Sequence, residues 1–154
     1  MSEQAAQERQ FAIQRIYTKD LSFESPNAPA VFMGEWKPEI NVGLQTEINH
    51  LGNDSIEVVL TVNVEAKHGD NTAFLVEVQQ AGIFLAKGFS EQELSPLLGI
   101  GAPNALFPYA REVVSDLVTR GSFPQFMLQP VNFEAMFAQQ VAAQQQAAQT
   151  EETH

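Results

Sequence analysis

Three histidines, at positions 50, 68 and 154, are the side chains best able to bind a metal or pass a proton near neutral pH. No two of them share a helical or strand spacing, and none sits in a ligand pattern. Neither a zinc site nor a general base is therefore indicated. The glycine pairs Gly82/Gly88 and Gly99/Gly101 match neither GxGxxG nor GxxxxGK[ST], which leaves the phosphates of a nucleotide without a cradle. No serine has a GxSxG elbow around it. There are no cysteines, so disulfides, thiolate catalysis and the common structural zinc sites drop out together. Glu91 and Glu93 form a nominal carboxylate pair, but they stand in a polar segment where solvation is expected. The sequence assigns no catalytic residue, no metal ligand and no cofactor.

Two other groups could bind rather than react. Asp20, Glu24 and Glu77 are scattered acids that, on linear position alone, are ordinary solvated surface charges. Phe133 and Phe137 lie four apart, the spacing of one helical face, and so read first as core. Phe32 and Trp36 are also four apart, but in a proline-flanked loop, where aromatic side chains line a groove as readily as they plug a core.

The elements that must position these groups are strands first and helices second. Ile40, Val42, Leu44, Thr46 and Ile48 alternate with Asn41, Gly43, Gln45, Glu47 and Asn49, the period of a half-buried strand. The alternation repeats at Ile56, Val58, Leu60, Val62 and Val64. A third run puts Phe74, Val76 and Val78 on one face and Leu75, Glu77 and Gln79 on the other. The short links Asn49–Ser55 and Lys67–Asn71 predict hairpins, and clean alternation predicts an antiparallel sheet with one covered face.

A further strand is expected at Phe11–Tyr17. Residues 26–38 then form a long connection, opened by Pro26 and Pro29, that carries Val31, Phe32, Met33 and Trp36 and must pack on something. From Pro103 to Arg120 the stripe Leu106, Ala110, Val113, Val114, Leu117, Val118 predicts a helix ending at Gly121 as a left-handed cap. Pro96 argues against a regular helix over Leu94–Ile100. Asn132 is a good N-cap for a second helix bearing Phe133, Met136, Phe137 and Val141. The fold class is α+β, with helices on one sheet face.

Eight Lys and Arg against 19 Asp and Glu give a net charge of −11. That balance disfavours nucleic acid and anionic membranes, both of which recruit cations. The 44% hydrophobic content suits one globular domain. With 11 Phe against 2 Tyr and 1 Trp, the surplus is expected in a subunit interface or an apolar groove. The polar start MSEQAAQERQ lacks a signal-peptide core, and no window nears the roughly 18 apolar residues that span a bilayer, so a cytoplasmic protein is expected. Residues 1–10 and the Gln/Ala-rich 138–154 are expected to be flexible flanks of a domain at 11–137, the tail extending the last helix before fraying.

Five strings, IQRIYTKDLSFESPNAP (13–29), AFLVEVQQAGIF (73–84), PNALFPYARE (103–112), RGSFP (120–124) and QPVNFEAMF (129–137), together resemble the SecB family of protein-export chaperones. The resemblance implies a four-stranded antiparallel sheet with two main helices, assembled as a dimer of dimers. It implies an ATP-independent chaperone that holds unfolded secretory precursors and delivers them to the translocation ATPase SecA. Carried over by position, the SecA-contacting surface corresponds to Asp20, Glu24 and Glu77 with Leu75 beside them. The client groove corresponds to Phe32, Met33, Trp36, Phe133 and Phe137. An acidic oligomeric adaptor for a folded partner is the competing expectation, and client preference separates the two.

Overall fold

The computed structural model describes residues 8–152. Four long strands, β1 (Gln10–Glu24), β2 (Glu39–Gly52), β3 (Ser55–His68) and β4 (Asn71–Lys87), form one antiparallel sheet in the order β1-β4-β3-β2. The expected hairpins are present. The β2–β3 turn needs two left-handed residues, Asn53 (φ 53°) and Asp54 (φ 63°), types that tolerate that conformation.

Register fixes the faces. Leu44 pairs with Val62 and Val62 with Val78, so the three apolar runs share one side. Leu75, Glu77 and Gln79 fall on the other.

β1 runs seven residues beyond Tyr17, to Glu24. Two register shifts, between Ile13 and Arg15 and between Thr18 and Asp20, leave Gln14 and Lys19 as bulge residues. Each bulge breaks the alternation, which is why period counting ends the strand early.

After β4 comes α1 (Glu91–Pro96), a single π-helical turn (Leu97–Gly101), and α2 (Ala102–Arg120). Of the segment Leu94–Ile100, expected to hold no regular helix, Leu97–Ile100 lie in the π turn, but Leu94–Pro96 complete a regular α1. Ser90 caps α1, accepting from the Glu93 N–H at 3.2 Å while its hydroxyl donates to the Glu93 carboxylate at 3.1 Å, and Pro96 closes the short helix. Glu93 also pairs with Arg9 at 2.7 Å, so it is partnered rather than simply solvated.

α2 packs on β4 and β3, burying Leu106, Ala110, Val114 and Val118 on Val58, Leu60, Val62, Phe74 and Val78. Its end also differs from expectation. Gly121 has φ −77°, and the left-handed residue is Ser122 at φ 67°. The Phe123 N–H reaches the Val118 carbonyl at 3.3 Å and the Ser122 N–H that of Thr119 at 3.0 Å, a Schellman closure. Gly121 is needed for space instead, because a Cβ there would sit 2.3 Å from Phe23 Cζ.

Asn132 caps α3 (Phe133–Glu152) as expected, accepting from the Ala135 N–H at 3.0 Å. The Gln/Ala-rich segment is helical to Glu152, and its residues from Ala142 to Glu151 are exposed. Residues 1–7 of the expected N-terminal flank, and Thr153 and His154 of the tail, lie outside the described residues. No described helix is long and apolar enough to cross a membrane.

Candidate functional site: an acidic sheet face and two apolar grooves

The two long helices, α2 and α3, lie on one side of the sheet, leaving the other side bare. On that bare side the β1–β4 pairing sets Glu24 opposite Leu75, Ser22 opposite Glu77 and Asp20 opposite Gln79. The four residues Asp20, Glu24, Leu75 and Glu77 are thus gathered on adjacent rungs, all exposed. Glu24, Leu75 and Glu77 border a shallow hollow that continues over β3 and β2 through Asn63, Glu65, Asn41 and Gly43, with Asp20 beyond its edge. Among the described residues, none of the three acids takes part in an ion pair or a side-chain hydrogen bond. Glu65 differs, with Lys67 at 3.7 Å.

Further along the same face lies a buried carboxylate that the sequence reading missed. Glu57 on β3 is 8% exposed. It accepts from the Tyr17 hydroxyl and from Lys19 Nζ at 3.0 and 3.2 Å, both on β1, and from Asn49 Nδ2 at 2.9 Å, on β2. Donors from both outer strands therefore converge on one inner-strand acid. The Tyr17 hydrogen bond foremost, with help from Lys19 and Asn49, holds the Glu57 carboxyl below its usual value against the opposing effect of burial. Burial first, then the hydrogen bond and negative charge of Glu57, push Tyr17 up to about 12. The signal in the sequence is an acid, Glu57, set between Ile56 and the unbroken apolar run Val58–Leu60.

The aromatic expectations divide into two places. Phe32 and Trp36 join Phe123, with ring centroids 5.1 and 5.2 Å away, and Trp36 also stacks near Phe74 at 6.4 Å. The long connection is pinned over this cluster by Ser25 Oγ donating to Ala73 O (3.1 Å), Asn27 Nδ2 to Thr72 O (2.8 Å) and His68 Nε2 to Glu35 O (2.5 Å). Met33 in the same loop is 85% exposed.

Phe133 and Phe137 belong elsewhere. Phe133 is buried edge-on against Phe107 at 5.9 Å. Phe137 lies so close over Gly99 that a Cβ there would be 2.4 Å from its ring.

Between these places runs the helix side of β2, which α2 leaves uncovered. Ile40, Val42 and Leu44 form a groove with Phe107, Phe126, Leu128 and Val131. Thr46, Ile48 and His50 form a second one with Leu94, Leu98, Phe133, Met136 and Phe137. The Phe107–Phe133 pair stands where the two grooves meet, one ring in the wall of each. His50 is accordingly a groove wall rather than a turn residue. Among the described residues, no group of three or more His, Asp or Glu is placed to hold a metal.

A family model described as "Preprotein translocase subunit SecB" matches residues 4–144. The chain is 56% identical over 156 residues to the protein-export protein SecB of Hahella chejuensis, covering 99% of this chain and 98% of that one. The corresponding protein of Nitrosococcus oceani is 55% identical over 150 residues, covering 96% and 92%. That of Methylococcus capsulatus is 52% identical over 155 residues, covering 100% of both. Among solved structures, a SecB-like chaperone of Mycobacterium tuberculosis in complex with a ChAD peptide from an antitoxin has the same fold, with a TM-score of 0.64 over 83% of this chain and 90% of that one at 20% identity. On sequence over nearly its whole length, and on fold, the chain belongs to the SecB family of protein-export chaperones.

Proposed function

We propose that the protein is an ATP-independent cytoplasmic chaperone that holds unfolded secretory precursors along the β2 grooves. It passes them to SecA through Asp20, Glu24, Leu75 and Glu77. The observation that carries this reading is the placement of two different surfaces on opposite faces of one sheet. The helix side offers open apolar walls for an extended client, with Phe32, Met33 and Trp36 at one end and Phe133 and Phe137 at the other. The bare side offers unpaired acids to a basic partner. One chain can therefore be loaded and docked at once.

Burying one large apolar side chain is worth about 1.5–3 kcal/mol, so a single contact holds a client weakly and lets it leave. Several grooves acting on one long client supply retention, which favours a dimer of dimers. Ile13 and Leu21 on the outer strand, about half exposed at 50% and 47%, are apolar surface that subunit contacts would cover. The reading uses residues 11–137 as the working unit, with 1–10 and 138–154 outside it. A helix that buries nothing beyond Val141 has little but its own propensity to hold it. It assigns the chain no catalytic step and no cofactor.

The test is charge reversal. The triple variant Asp20→Lys, Glu24→Lys, Glu77→Lys is expected to lose SecA binding while still suppressing aggregation of a denatured precursor without ATP. SecA affinity equal to wild type would sink the docking assignment. Equal binding of native and denatured precursor would instead favour an adaptor for folded partners.

A further inference from the structure

Lys19 is the bulge residue next to Asp20, and it reaches the same bare face as the three unpaired acids. A lysine ammonium is a mobile point charge on a long stem, and the nearest free carboxylate attracts it. Here it is turned away from that patch. Nζ lies 3.0 and 3.2 Å from the two oxygens of Glu57, whose side chain is 10% exposed against 44% for Lys19. Tyr17 and Asn49 fix the carboxylate from either side, so the anchor is rigid. Of the other cations on this face, Lys87 stands opposite Gln10 at the far end of β1, and Lys67, at the β3 side of the hollow, is already held by Glu65. Arg15 sits opposite Ile83, towards the same far end of β1.

We infer that Glu57 is a positioning residue for the docking face. By sequestering Lys19 it keeps the Asp20, Glu24 and Glu77 carboxylates free for a basic partner. This rests on the docking assignment above. The Lys19 pairing also offsets the charge of a buried carboxylate, so the two roles are separated by removing Lys19 and Glu57 together.

The experiment compares SecA affinity at low salt for the full-length wild type, Glu57→Gln, Lys19→Gln, the Glu57→Gln/Lys19→Gln double variant and the triple acid reversal. Glutamine keeps one acceptor, which Asn49 Nδ2 can use, and turns an amide N–H towards the Tyr17 hydroxyl oxygen, which can accept it, while releasing the ammonium. Glu57→Gln is expected to weaken binding about two- to fivefold, the scale of one exposed charge at an interface. Lys19→Gln should bind as wild type, and the double variant should recover wild-type affinity. A purely structural defect at Glu57 would not be rescued by removing Lys19. Glu57→Asp, which keeps the charge but shortens its reach, serves as a milder variant and should shift affinity the same way.

Aggregation suppression should be equal in all six proteins, which shows that they are folded. Wild-type affinity in Glu57→Gln, or a double variant as weak as Glu57→Gln, overturns the inference while loss of binding in the triple reversal leaves docking standing. Undiminished binding by the triple reversal overturns both.

Discussion

Burial disfavours a Tyr17 phenolate, and the hydrogen bond to Glu57 and its negative charge add to that, so the Tyr17 pKa is pushed up to about 12. A raised folded pKa means a stability contribution that is complete below the ordinary tyrosine value of 10.0 and is lost as pH climbs towards 12. Glu57 works in the opposite sense. Its lowered pKa gives a contribution present above the ordinary value of 4.5 and lost as pH falls through the folded one. Tyr17→Phe should therefore flatten the alkaline side of the stability profile, read from urea midpoints between about pH 9 and 12, and also shrink the acid-side contribution, since the lost hydrogen bond is the main cause of the lowered Glu57 pKa. An unchanged alkaline limb would show that Tyr17 does not titrate against Glu57. The network was not legible in the sequence because Tyr17, Asn49 and Glu57 meet only through strand order, which places β1 and β2 at opposite edges of the sheet.

Among the strands, β2 is the least covered. Val42 and Ile48 face the helix side yet remain 47% and 40% exposed, because α2 lies over β4 and β3 instead. Changing both to serine should weaken capture of a denatured client several-fold while lowering stability by less than about 1 kcal/mol, as expected of surface positions. A melting temperature that fell in step with client capture would assign them to the core instead. The alternation of Ile40 to Ile48 already places these side chains on the correct face. It says nothing of whether a helix covers them, since that depends on where α2 crosses. β1 was readable only to Tyr17, because its bulges interrupt the period. The stop of α2 was readable to within a residue, but the left-handed position falls to Ser122, since Phe23 demands that Gly121 have no side chain. α1 is six residues long and closed by Pro96, too short for any periodic signal.

At the scale of the whole molecule, the sheet acts as a partition between a charged side and an apolar side. Docking on the acidic side should weaken steeply as salt rises from about 0.05 to 0.5 M, where the Debye length becomes shorter than the patch. Client capture on the apolar side should hold or strengthen over the same range. Parallel salt dependence of the two would argue that both partners use one surface. The acids Asp20, Glu24 and Glu77 were legible only through the family resemblance, because they are brought together by the β1–β4 register rather than by proximity in the chain.

That register also decides where the chain can change length. Gln14 and Lys19 are surplus to the β1–β4 ladder, so either can be lost and the neighbouring side chains keep their faces. Loss of Leu21 or Ser22 would instead turn a neighbouring segment over, exchanging inward and outward groups. In an outer strand that carries Phe23 on one side and Asp20 and Glu24 on the other, natural gaps are therefore expected to gather at its two irregular rungs.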